Sequence, residues 1–159
     1  MKKILLFFMA AAALISCQRQ SHVVDDAQLF QRPDAIDNTI TALEHDHDVV
    51  AVVATIPSLG GKDIAATAQE MFNEWGIGDK DTNNGVLILI VPKTPAQDGQ
   101  VRIQTGLGTE QWLTDDQCRE IIDNVMLPSL KSNDYDGAVV EAIRAIADKC
   151  GKSADKQAA

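Results

Sequence analysis

"GVLILIV", Gly85 to Val91, is an unbroken run of Val, Leu and Ile behind a single glycine, and its reading decides the fold. A run this apolar reads as a strand covered on both faces. "VVAVVAT", Val49 to Thr55, has the same character and is broken by Pro57 and the pair Gly60–Gly61. The stretch in front, "GIGDKDTNN" from Gly76 to Asn84, raises a second question. Asp79, Asp81 and Asn83 alternate as D-x-D-x-N, a pattern that can turn three side-chain oxygens toward one cation.

Outward from these strands the apolar spacing changes to that of helices. From Arg32 to about Glu44, Pro33 suits a first helical turn, and Ile36, Ile40 and Leu43 form one stripe. From about Lys62 to Trp75 a helix is expected with Ile64, Ala68, Met71 or Phe72, and Trp75 facing inward. "PKTPAQDG" is turn-rich and leads to a third strand, "QVRIQT", in which Val101 and Ile103 alternate with polar neighbours. Thr114 and Gln117 make a capping box for a helix through Ile121, Ile122 and Val125. A last helix carries Val139, Ile143, Ile146 and Cys150 on one face, with Gly151 as its stop. The order predicts helices against a small mixed sheet. The first two strands need a right-handed crossover and should be parallel; the second and third should be antiparallel.

The chain has 159 residues, 45% of them hydrophobic, which suits one domain behind a targeting segment. Residues 1–16 read as a lipoprotein signal: Lys2 and Lys3, then the apolar "ILLFFMAAAAL", then "LISC" ending at Cys17. Acylation of Cys17 would tether the chain to a bacterial membrane, since each buried methylene contributes about 0.8 kcal/mol. Gln18 after that cysteine favours the outer membrane over the inner. Residues 17–23 are then a polar tether, 24–150 the domain, and 151–159 a disordered tail. Without Lys2 and Lys3 the chain keeps 12 basic against 23 acidic residues, a formal −11. That balance argues against nucleic acid, whose phosphates need a basic surface, and suits divalent cations or basic partners.

Three acidic stretches should converge at one end of the sheet: Glu44 to Asp48, Gly78 to Asn84, and Gly106 to Asp116. Asp79, Asp81, Asn83, Asn84, Glu110 and Asp115 are the candidate metal ligands. Calcium is expected rather than magnesium, because it accepts an irregular set of carboxylate, amide and carbonyl oxygens. The loop is not an EF-hand: its glycine comes one position late, no Glu closes it, and a strand follows. The competing reading is an Asx-rich turn bonded to its own backbone. His45 and His47 have no cysteine near enough in sequence to complete a structural zinc site, and "EHDHD" reads as a solvated acidic corner. Cys118 and Cys150 come level if the last two helices run antiparallel, as a disulfide or as two small core residues.

"ATIPSLGGKDI", "MFNEWGIGDKDTNNGVLILIVP", "VRIQTGLGTEQWLTDDQ" and "NDYDGAVVEAI" together resemble the TPM domain family, in that family's order and spacing. The resemblance covers about Val23 to Lys149. It implies an αβα sandwich, with helices on both faces of the mixed sheet, in a protein exported or attached to a membrane. It places the family's loop on Gly76, Gly78, Lys80, Asn84 and Gly85, and its glycine turn on Gly106, Gly108, Glu110 and Asp115. It also implies divalent-cation binding and weak phosphatase activity. The chain departs from the family at Asn83, Gln104, Leu107 and Thr109, which leaves fewer carboxylates near the loop. Three functions stay open. The first is a lipid-anchored, cation-binding accessory module that assists an envelope or membrane protein. The second is a metal-assisted phosphatase using Asp115, Glu110 and Lys80. The third is a ligand-free structural envelope protein.

Overall fold

A computed structural model describes residues 21–157, so the signal segment and Cys17 lie outside the described residues. Four strands form one sheet in sequential order: β1 Val23–Asp25, β2 Val50–Thr55, β3 Gly85–Val91 and β4 Gln100–Thr105. The first three are parallel, and β4 returns antiparallel beside β3, as the crossover and the short connection require. Ile88 sits opposite Val53 on one side and Ile103 on the other. All seven residues of β3 are buried. The period of two splits them between two cores. Val86, Ile88 and Ile90 face one layer of helices; Leu87 and Leu89 face the other.

The larger layer contains α1 Pro33–His47, α3 Asp115–Ile121, α4 Leu127–Lys131 and α5 Tyr135–Gln157. Ile36, Ile40 and Leu43 of α1 are buried there against Val139, Ile143 and Ile146 of α5. On the other face α2, Ile64–Glu74, covers the sheet alone with Ala68 and Phe72. Helices on both faces of a mixed sheet make the expected αβα sandwich. The capping box is also in place: Thr114 Oγ1 accepts from Gln117 N, and the Gln117 side chain accepts from Thr114 N at 2.9 Å. A π-helical turn, Ile122–Met126, joins α3 to α4. Pro128 explains it, because a proline ring clashes with the carbonyl four residues back and the chain widens to accommodate it.

Several expectations fail, each for a local reason. Val23, assigned to the tether, belongs to β1, a three-residue strand held by pairing to β2. Trp75 does not face inward; it is 41% exposed. Helix α2 ends at Glu74, Gly76 turns the chain at φ 61°, and Ile77 takes the inner position, bonding back to Phe72 O at 3.1 Å. Helix α1 runs to His47, so "EHDHD" is mostly a last helical turn. Gly151 does not stop α5, and the segment expected to be disordered continues it to Gln157. A mid-helix glycine costs only about 1 kcal/mol against alanine, and the neighbours Lys152, Ala154, Lys156 and Gln157 are good helix formers. Cys118 and Cys150 are free thiols rather than a disulfide. Both pack in the larger core, which is the second of the two readings.

Candidate functional site

The ends of β2, β3 and β4 bring the three acidic stretches to one edge of the sheet, joined through the backbone. Val50 N donates to Asn84 O at 2.9 Å, which ties the α1–β2 corner to the loop before β3. Gly106 N donates to Gly85 O at 2.9 Å, and Gly108 N to Asn83 O at 3.2 Å, which ties that loop to the turn after β4. Thr109, fully buried, adds its hydroxyl to Gly85 O at 3.0 Å. Gly108 has ordinary helical angles, φ −69° and ψ −39°. Its lack of a side chain is needed for proximity instead: a Cβ there would overlap the Thr82 carbonyl oxygen and come within 2.7 Å of Asn84 Oδ1.

Within the loop, Asp79 Oδ1 accepts from Asp81 N at 2.8 Å and from Thr82 N at 3.1 Å. These two backbone donors hold the Asp79 carboxyl below its usual range, although it is solvent-exposed. This is the Asx turn of the competing reading. Asn83 follows in the left-handed region at φ 53°, which its short polar side chain tolerates. Asp81, Lys80 and Glu110 are exposed, and none of them belongs to an ion pair among the described residues. Asp115 Oδ1 lies 3.4 Å from Arg102 Nη2. Among the described residues no three His, Cys, Asp or Glu side chains are gathered closely enough to hold a metal ion. His45 instead lies 2.8 Å from its neighbour Asp46.

Beside the site, Cys118 is buried, and burial first, then the nearby Asp115 charge, pushes its thiol up to about 11. It is a protonated core residue at neutral pH, not a thiolate nucleophile. Gln104, also buried, donates to Gln69 Oε1 at 3.1 Å across the β4–α2 contact. Arg102 Nε is enclosed without a partner among the described residues.

Two carboxylates important to the scaffold escaped the sequence reading. Asp25 accepts from Leu29 N, Phe30 N and Thr55 Oγ1. Asp136 accepts from Gln31 N at 3.1 Å and Arg32 N at 2.9 Å. No local spacing signals Asp136, whose donors lie more than a hundred residues away, whereas Asp25 has two of its donors only four and five residues on and could have been read as a turn-forming carboxylate.

These features define a three-layer α/β domain with its glycine-packed loops gathered at one sheet end. A model of the TPM domain family matches residues 23–149, and the chain belongs to that family. Solved structures resemble it along most of its length. The N-terminal domain of a protein from P. gingivalis is 28% identical, with TM-score 0.73, covering 84% of this chain and 83% of its own. The N-terminal domain of the cg2496 protein from Corynebacterium glutamicum is 20% identical, with TM-score 0.63 over 82% and 80%. The BA42 protein from the psychrophilic Bizionia argentinensis is 18% identical, with TM-score 0.64 over 75% and 78%. Comparison with curated proteins gave no match.

Proposed function

We propose that this chain is a lipid-anchored accessory module of the bacterial envelope that presents a divalent-cation-binding loop pair to a partner protein. The observation that supports it is the backbone link from Gly108 N to Asn83 O, which sets two carboxylate-bearing loops side by side. Asp81 and Glu110 are exposed there, and the Asx turn uses only one oxygen of Asp79. A calcium ion would draw on those carboxylates with Asn83, Asn84 and backbone carbonyls, an oxygen set that calcium tolerates and magnesium does not. Asp115 would contribute the oxygen that Arg102 does not contact. Leu107, 74% exposed on the same turn, offers an apolar contact to the partner.

An ion that binds only the folded chain stabilises it by about 2.7 kcal/mol at a hundredfold excess over Kd. Millimolar calcium should therefore raise the melting temperature beyond the effect of sodium chloride at matched ionic strength. The double change Asp81→Asn, Glu110→Gln should remove the calcium-specific part and keep the salt part. If variant and wild type respond alike, the loop is only a polar turn. Turnover of a chromogenic phosphate ester that is lost in Asp115→Asn would support metal-assisted hydrolysis instead.

Anchoring rests on "LISC". Among the described residues no helix is long and apolar enough to cross a membrane. In the proposed reading the attachment is the acyl group on Cys17. Cys17→Ser should leave the precursor unprocessed and unlabelled by fatty acid, and a variant that still takes label refutes the anchor.

A further inference from the structure

The opposite end of the sheet carries a feature that the proposed function does not use. Where β3 leaves through Pro92 and β4 begins at Gln100, a cavity of about 540 Å³ opens between that connection and the α4–α5 corner. This volume falls within the roughly 300–1,000 Å³ of small-molecule sites. Ile90, Val101, Leu127 and Leu130 make its wall mostly apolar. The short helix α4, which follows the π-helical turn, forms one side of the cavity. Helix α4 has only five residues, none of them buried, so Leu127 and Leu130 stay half-exposed over the strand ends.

Lys93 and Lys131 line the rim from opposite sides, one on the β3–β4 connection and one at the end of α4. Both are exposed, and neither belongs to an ion pair among the described residues. Asp98 shares the rim and offsets one of the two charges. Two unpaired ammonium groups at an apolar cavity, in a chain of formal charge −9, favour an anionic head group above an apolar body. Tyr135 and Asn133 add neutral hydrogen-bonding groups to the wall.

We infer that this cavity binds a small amphiphilic carboxylate, its apolar chain against Leu127 and Leu130 and its head between Lys93 and Lys131. The site is separate from the acidic loops and does not depend on cation binding there. Equilibrium dialysis of the full chain against octanoate, octan-1-ol and octylammonium tests it. Octanoate should bind saturably at one site, about tenfold more tightly than octylammonium, with octan-1-ol between them. Lys93→Gln with Lys131→Gln should abolish the preference for octanoate while leaving octan-1-ol binding unchanged. Leu127→Trp, which fills the cavity from a partly buried position on α4, should weaken octanoate and octan-1-ol binding together. Equal binding of octanoate and octylammonium overturns the proposal, as does an unchanged preference in the double lysine variant. Non-saturable uptake, the mark of adsorption to any apolar segment, overturns it too.

Discussion

Gly108→Ala should destabilise the domain by about 3 kcal/mol, at the upper end of what forced overpacking costs. In a domain of this size that corresponds to a melting temperature lower by roughly 10 °C. The reason is not backbone freedom, since φ −69° is open to any residue. An alanine methyl would occupy the space of the Thr82 carbonyl oxygen and press on Asn84 Oδ1. Both atoms belong to a loop held at Val50, Gly106 and Gly108, so neither can retreat without breaking a backbone hydrogen bond. The turn would have to lift away from the loop before β3. The same change should therefore abolish any calcium-specific stabilisation, by separating Glu110 from Asp81. Leu107→Ala, one residue away but 74% exposed, is the control and should shift stability by no more than about 0.5 kcal/mol. Differential scanning calorimetry of the two variants decides the matter. If they melt together, the close approach of the two loops is not rigid in solution.

That packing explains what could and could not be read in the sequence. Strand β3 was legible because burial on both faces leaves no polar residue in seven, and the chemistry shows whatever the neighbours are. The Thr114–Gln117 capping box was legible because its partners are three residues apart. Convergence of the acidic loops followed from strand direction alone. Beyond such local patterns the sequence gives less. β1 is too short to show a period, and it exists because Val23 to Asp25 pair with Val53 to Thr55 thirty residues on. Trp75 had the right helical spacing to face inward, but Ile77 competed for the same space after the turn at Gly76. Gly151 resembles a C-cap, yet a glycine stops a helix only where the residues after it do not favour continuing. The metal pattern was the most ambiguous. D-x-D-x-N suits a cation and an Asx turn equally, and what the structure shows is the Asx turn, with one Asp79 oxygen accepting from Asp81 N and Thr82 N.

The second large effect belongs to a residue with no sequence signature. Asp136 is 6% exposed, and its two oxygens accept from Gln31 N and Arg32 N, the residues that lead into α1. It fastens the start of α5 to the start of α1, the two helices that cover most of the larger core. Asp136→Ala would remove the buried acceptor of two partly buried backbone donors and should cost roughly 2–3 kcal/mol, since hydrogen bonds to charged groups are the strong ones. Asp136→Asn should recover only part of this, because one carboxylate oxygen becomes an N–H donor facing another N–H. Asp134, two residues earlier, is the comparison. Its Oδ1 accepts from Gly137 N at 2.9 Å, as an exposed helix cap does. Asp134→Ala should cost about 1 kcal/mol, and water can take over the freed donor. Urea unfolding of the three variants, with slopes matching wild type, gives the ranking directly. A loss at Asp136 no greater than that at Asp134 would show that water reaches Gln31 N and Arg32 N, and that hydrophobic packing alone seats α5 on α1.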